Sequence, residues 1–355
     1  MSGTSLDGID AALVEFDESR IQHRGTHYQA YDQLLKDTLL ELHLPAGNEL
    51  HQAQLIGNQL ARLYASAALT LLEKNNLTAK SIRAIGCHGQ TIRHRPECGY
   101  TLQLGNSALL AELTGISVIS DFRSRDIAAG GQGAPLVPAF HDRVMRQADI
   151  HRVIVNIGGI SNLTDLPPDF PTTGFDCGPG NLLMDAWCKL HKDLPFDEEG
   201  NWAASGKVLP DLLERMLKEP FFALPPPKSS GRDLFNASWL QQYLQGSERA
   251  EDVQATLLEL TCSSIAQVIK LHCSGVKELY LCGGGARNLT LHKRLKMHFP
   301  GITVQSTNVL GIDSDYLEAI AFAWLAQQTL LGQPANLPGV TGARHPCVLG
   351  AIYPV

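Results

Sequence analysis

The chain has no run of eighteen apolar residues, no C-x-x-C pair and no stripe of lysine and arginine, and each absence removes a class of function. Without a long apolar run no membrane-spanning helix is expected. The amino terminus, Met1-Ser2-Gly3-Thr4, carries neither a charged n-region nor an apolar h-region, so export is not expected either. The eight cysteines stand singly, from Cys87 to Cys347, and read as reduced, mostly buried thiols of a cytoplasmic protein. Charged residues make up only 18% of the chain and the net charge is -7, which excludes a nucleic-acid partner because phosphate backbones need basic surfaces. An anionic small substrate would need local arginines instead. Neither the G-x-x-x-x-G-K-[ST] loop nor the G-x-G-x-x-G fingerprint occurs, so a single Walker site and a dinucleotide fold are both set aside.

What is present is an α/β alternation. With 355 residues, 44% of them hydrophobic, the chain exceeds one comfortable core and suits two domains around a cleft. Ala11 to Phe16, Ile82 to Cys87, Ile116 to Ser120, Arg152 to Ile157, Leu279 to Cys282 and Ile302 to Gln305 read as strands. Between the first two, His51 to Lys74 repeats Leu55, Ile56, Leu60, Leu63 and Ala67 at helical spacing, and Asn106 caps a helix over Ser107 to Thr114 that Gly115 closes. The glycine- and proline-rich stretch Ala128 to Pro138 marks a crossover. The expected domains are 1-128 plus 332-355, and 129-331. Pro225-Pro226-Pro227, with Lys228 to Arg232 behind it, reads as a stiff loop outside either sheet.

One device recurs three times: a strand running into glycines and small polar residues. It appears as Ser2-Gly3-Thr4-Ser5-Leu6-Asp7-Gly8, as Asn156-Ile157-Gly158-Gly159-Ile160-Ser161-Asn162 and as Cys282-Gly283-Gly284-Gly285-Ala286-Arg287-Asn288. Glycine lets backbone N–H groups converge on an anion. Any one of the three is an ordinary tight turn; together and in order they suit two hairpins clamping a polyphosphate, with a third turn at the adenosine end.

The ordered blocks Met1-Ser-Gly-Thr-Ser-Leu-Asp-Gly, Cys87-His-Gly-Gln-Thr-Ile-Arg-His, Asp121-Phe-Arg-Ser-Arg-Asp, Gly130-Gly-Gln-Gly-Ala-Pro-Leu-Val-Pro, Gly174-Phe-Asp-Cys-Gly-Pro-Gly-Asn and Leu281-Cys-Gly-Gly-Gly-Ala-Arg-Asn resemble the anhydro-N-acetylmuramic acid kinase family over essentially the whole length. That family lies within the superfamily of sugar kinases, heat-shock chaperones and actin. The resemblance implies a two-domain actin-like (ribonuclease H-like) α/β ATPase fold with a nucleotide cleft between the domains. It also implies a reaction that opens the 1,6-anhydro bond of the sugar while ATP, with Mg2+, phosphorylates O6 in peptidoglycan recycling, and a homodimer. Carried onto this chain, ATP falls to Gly3, Thr4, Ser5, Leu6, Asp7, Gly8, Ile9, Asp10, Gly158, Gly159, Gly283, Gly284, Gly285 and Asn288. The sugar falls to His88, Gln90, Asp121, Arg123, Asn181 and Glu318, and the base to Asp176.

Chemistry supports these roles beside plainer readings. Asp176 could take a proton from attacking water, or could merely close a turn. Arg123 and Arg125 could grip the lactyl carboxylate of a muramic acid, or belong to a solvated face. His88 could cap a turn, and Glu318 could serve as a charge at a helix start. Ligands for Mg2+ stay open among Asp7, Asp10 and the position of Asn156. Most of the strand that would lead into the first turn is absent, which would leave Ala11 to Phe16 less well paired. An actin-like or chaperone-like ATPase without a sugar pocket is the alternative; a glycosidase would want two carboxylates and no phosphate turns.

Overall fold

The computed structural model describes residues 1–3, 6–17 and 21–355. The chain forms two compact units, Met1–Phe140 with Tyr316–Val355, and His141–Asp315. Both are mixed α/β. The units divide at 140/141 and 315/316 rather than at 128/129 and 331/332. Helix Leu317–Leu330, apolar on all sides, packs on strands of the first unit and takes its sequence with it.

In the first unit β1 (Gly8–Phe16) and β2 (Ile21–Ala30) form an antiparallel hairpin. A short sheet pairs β3 (Ile85–Gly86) in parallel with β6 (Val118–Ser120), and β12 (Ala351–Tyr353) antiparallel to β6. Between β3 and β6 the hairpin of β4 (Gln90–Arg95) and β5 (Tyr100–Leu104) stands apart. Helix Glu49–Lys74 buries Ile56, Leu60 and Ala67 of the expected stripe together with Ala61 and Tyr64, while Leu63 is partly buried and Leu55, contrary to expectation, is exposed. Helix Ser107–Thr114 starts on Asn106, whose side chain accepts from the Leu109 N–H at 3.0 Å, and ends at Gly115 with φ 66°. As expected, Ala11 to Phe16 is paired on one side only: β1 bonds along its length with β2, while on its other edge Met1 bonds backbone to backbone with Asp10 and, among the described residues, no strand follows. Beyond Asp10 that edge lines a groove of about 770 Å³ shared with helices Glu49–Lys74 and Leu317–Leu330.

The second unit is built on one five-stranded sheet in the order β11 (Thr303–Ser306), β10 (Glu278–Cys282), β7 (Arg152–Ile157), β8 (Ile160–Leu166), β9 (Thr173–Pro179). β11, β10 and β7 run parallel, while β7, β8 and β9 form an antiparallel meander. Val153, Val155 and Ile157 on β7, with Leu279 and Leu281 on β10, pack with helix Ala250–His272 in the unit's core, so the strands read as near-continuous apolar runs. Among the described residues of either unit, no helix is long and apolar enough to cross a membrane.

A single buried carboxylate knits distant parts of the first unit. Asp126, fully buried, accepts from the Gly133 N–H at 2.8 Å, from Asn336 Nδ2 at 2.6 Å and from the Thr341 hydroxyl at 2.7 Å. These bonds tie the glycine-rich loop after 128 to the segment around Asn336 and Thr341. A Cβ at Gly131 would sit 2.2 Å from Asp126 Oδ2, so the loop also closes on the carboxylate sterically. Replacing Asp126 by Ala strands these donors, and chemical denaturation is expected to show a loss of about 2–4 kcal/mol. An unfolding free energy within about 0.5 kcal/mol of wild type would contradict that role.

Candidate active site residues on the two units

Near the carboxyl ends of β7 and β10 the second unit places a row of residues with polar side chains. Register places Cys282 opposite Asn156, Asn156 opposite Asn162, and Asn162 opposite Asp176, a row across four adjacent strands. Directly paired residues share a face, so this row is a line of side chains across one face of the sheet. Just past it stand the turns: Gly158-Gly159 after β7, Gly283 after β10, and Gly180 after β9. Ligands of open α/β sheets collect beyond the carboxyl ends of the strands, where these turns lie.

The glycines divide by what a side chain would meet. At Gly158, Gly159 and Gly284 an added Cβ would find nothing nearer than 3.6 Å, so the backbone there is open to an approaching group. Gly283 has φ 76°, and its Cβ would strike Asn156 Oδ1 at 2.3 Å; a Cβ on Gly285 would strike Ile157 Cγ2 at the same distance. Those two are glycine because the turn packs tightly on β7. Asn181 ties the arrangement together, with its N–H on the Gly158 carbonyl at 2.8 Å and its Nδ2 on the Ile157 carbonyl at 3.1 Å. Asn288 Oδ1 accepts from the Leu291 N–H at 2.9 Å and so caps helix Leu289–His298.

Asp176 is half-buried, and burial pushes its carboxyl up to about 6, against the pull of the Ser230 N–H and of Lys228. The Ser230 N–H donates to its Oδ2 at 2.8 Å, and its own N–H donates to the Lys228 carbonyl at 3.0 Å. The segment behind the proline cluster is, as expected, a loop outside either sheet, and it bonds to β9 at Asp176. Asn162, Lys228 and Ser230 were not singled out by sequence as site residues. Strand register and a loop returning to an edge leave no local signature.

On the first unit His88, Arg123 and Phe322 form a cluster. Arg123 donates to His88 Nε2 from Nε at 3.2 Å and from Nη2 at 2.9 Å, and to the Gly133 carbonyl from Nη1 at 2.8 Å. An imidazole nitrogen that accepts from a guanidinium must be unprotonated, so the Nδ1 of His88 bears the proton and points it at the Gly89 carbonyl, 2.7 Å away. Burial first, and the Arg123 charge second, hold His88 well below the usual imidazole range. Both ring nitrogens are thus spent within the unit, and the ring aims the arginine. Burial lowers Arg123 to about 10, while Glu318 and Asp126 oppose the shift. Glu318, at the first turn of helix Leu317–Leu330, is raised by burial and lowered by Arg123, so the two charges stand in each other's field. Arg125 is exposed and Asp121, at φ 56°, accepts from the Ser124 hydroxyl at 2.5 Å.

Gln90 is fully buried; its Nε2 donates to the Gly3 carbonyl at 3.0 Å, and its Oε1 has no partner among the described residues. Ser2 fastens the same stretch, its hydroxyl 2.9 Å from that of Tyr64 and donating to the Gly89 carbonyl at 3.0 Å. Leu6 and Ile9 are core residues, and Gly8 is glycine because a Cβ would lie 2.4 Å from the Gln29 carbonyl across the hairpin. Only backbone at these three positions faces the role expected of them. Asp7 is exposed, its carbonyl accepting from the Tyr28 hydroxyl at 3.1 Å, and Asp10 is half-buried. Thr4 and Ser5 lie outside the described residues.

Glycine turns with open space beside them, and a half-buried carboxylate on the same sheet, are compatible with a phosphotransferase. The whole chain, residues 1–355, matches the family described as Anhydro-N-acetylmuramic acid kinase. It is 58% identical over its full length to the Anhydro-N-acetylmuramic acid kinase of Nitrosospira multiformis, covering 97% of that protein. It is 55% identical, again over its full length, to that of Nitrosomonas europaea, of which it covers 98%. Among solved structures it is similar to an activator of 2-hydroxyisocaproyl-CoA dehydratase from Clostridium difficile with bound ADPNP, at 12% identity and a TM-score of 0.37, over 65% of this chain and 88% of that one. The chain belongs to the anhydro-N-acetylmuramic acid kinase family and is a kinase.

Proposed function

We propose that this kinase uses ATP and water to convert 1,6-anhydro-N-acetylmuramic acid to N-acetylmuramic acid 6-phosphate and ADP. Asp176 carries the proposal: a carboxyl with one oxygen held by a backbone N–H, and poised near 6, is a base at neutral pH. In this reading Asp176 takes a proton from water as the water oxygen bonds to the anomeric carbon. The bond from that carbon to O6 breaks, and O6 attacks the γ-phosphorus as ADP departs. The proton on Asp176 passes to solvent, so one base serves both bond changes.

The open amides of Gly158, Gly159 and Gly284 fit phosphate oxygens, because nothing of the protein fills the space a Cβ would take. Backbone from Gly3 to Asp10 and the side chain of Asn288 complete the ATP contacts we propose. Asp7, Asp10 and Asn156 are oxygen donors of the kind Mg2+ accepts directly or through water. Held there with ATP, Mg2+ would offset the charge of the phosphate groups. Arg123, aimed by His88, suits the lactyl carboxylate; Glu318, Gln90, Asp121 and Asn181 supply acceptors and donors for sugar hydroxyl and amide groups. The role in peptidoglycan recycling follows from the substrate. Eight free thiols, seven of them buried, fit a cytoplasmic setting. A homodimer belongs to the same reading and is checked by sedimentation.

The test is ADP release with Mg2+ and ATP, measured with and without the anhydro-sugar. ADP formed only when sugar is present supports the proposal, and equal release in both would overturn it in favour of a sugar-independent ATPase. Turnover is also expected to rise with pH through about 6, since the base works only when ionised. A profile flat from pH 5 to 8 would remove Asp176 from that step.

A further inference from the structure

The segment from Lys228 to Ser230 holds Asp176 from two sides. The Asp176 N–H donates to the Lys228 carbonyl at 3.0 Å, and the Ser230 N–H donates to Asp176 Oδ2 at 2.8 Å. What fixes the segment is the lysine side chain. Lys228 is 8% exposed, and its ammonium donates to the carbonyls of Phe221 and Phe222, each 3.2 Å away, while lying 4.7 Å from the centre of the Phe221 ring. These carbonyls belong to the short helix Pro220–Ala223, whose phenylalanines pack on Phe235, and Phe235 in turn on Trp239. A cation is costly to bury. An apolar residue of the same length would fill the place at less cost, so the charge calls for a reason beyond packing.

We propose that Lys228 is a positioning residue for the base: it rivets the 228–230 segment to the phenylalanine cluster, keeps the Ser230 N–H on Oδ2 so that Oδ1 receives the proton, and sets a fixed positive charge beside the carboxyl. The proposal rests on the reading of Asp176 as base. The groups around the carboxyl are few. On its own strand Cys177 is buried, with burial and the Asp176 charge pushing its thiol far up, so it stays neutral. On β8 the facing residue is Asn162, which does not titrate. On helix Ala250–His272, Ser264 stands against Gly178, and His272 packs its ring edge-on to Phe175. From the side of helix Pro220–Ala223, Glu219 is engaged by Trp239 Nε1 at 2.8 Å. Lys228 is therefore the cation that favours the ionised form of Asp176, as Asp176 in turn opposes the lowering of Lys228 by burial.

The experiment is the pH dependence of turnover for Lys228→Met, which keeps a long apolar stem over Phe221, beside Lys228→Arg. The methionine variant is expected to move the acidic limb up by about one pH unit and to lose about threefold near pH 6.5, approaching tenfold below about pH 5.5 and recovering above pH 8, with the KM for ATP within about twofold. The arginine variant is expected to hold the limb near its wild-type place. A limb that stays put in Lys228→Met, or a loss of equal size at every pH, would overturn the proposal by leaving Lys228 a purely structural role. Should Lys228→Met fail to fold, Lys228→Gln gives the same comparison. Asp176→Asn run alongside separates the two failures. If it retains turnover, the base reading is wrong whatever Lys228 does; if it is inactive while the Lys228→Met limb is unmoved, only the present proposal fails.

Discussion

Asp176→Asn is expected to turn over the anhydro-sugar about a thousandfold more slowly than wild type while binding ADP as before. The magnitude follows from losing a positioned general base, which contributes about 10²–10⁴-fold. Asparagine is isosteric and its carbonyl oxygen can still accept from the Ser230 N–H, so the loss falls on proton transfer rather than on the strand. Stability gives an internal control. The folded-state pKa of Asp176 lies above its ordinary value, so the contribution of this carboxyl is largest below about pH 4 and falls as pH rises to about 6. At pH 7 the neutral amide escapes that penalty, and the unfolding midpoint of Asp176→Asn is expected to match or exceed that of wild type. Single-turnover kinetics with the anhydro-sugar, together with ADP titration calorimetry, measures both halves; turnover within about tenfold of wild type would remove the base assignment.

Arg123→Met is expected to cost about a hundredfold in kcat/KM for the sugar, mostly through KM. A guanidinium already fixed by His88 and the Gly133 carbonyl has lost its rotamer freedom before any ligand arrives, so its interaction with a carboxylate comes at little ordering cost. Removing one side of a desolvated charge pair typically costs 2–5 kcal/mol. A sugar lacking the lactyl group should bind the variant and the wild type alike, and this isolates the carboxylate from general damage to the pocket. Unchanged sugar KM in Arg123→Met would return the residue to a structural role.

How much of this could be read from sequence varies with the kind of physics involved. β7 (Arg152–Ile157) and helix Ser107–Thr114 stand where their residues put them, because an apolar run and an Asn cap with a closing Gly are local signals. β3 shrank to Ile85–Gly86 from the expected Ile82 to Cys87, since only those residues find a partner in β6. β8, β9 and the β4–β5 hairpin carry polar residues such as Asn162, Asp176 and Thr101 and give no clean alternation. The three glycine motifs were visible as motifs. Which glycines leave open amides and which are forced by packing, as at Gly283 and Gly285, depends on the neighbouring Asn156 and Ile157 and is set by tertiary structure. Asp126 carries no local signal of its role, because its partners Asn336 and Thr341 lie more than two hundred positions away in sequence.

The imidazole of His88 bears on how any acid-side titration of this enzyme is to be assigned. A ring that is permanently a lone-pair donor toward a guanidinium gives up the switching behaviour for which histidine is known. Whatever Arg123 grips is then gripped with equal strength in weakly acidic and weakly alkaline medium. The half-saturating concentration of the sugar should stay level while the maximal rate climbs, so the acidic fall in rate reports on Asp176 without interference from the binding arginine.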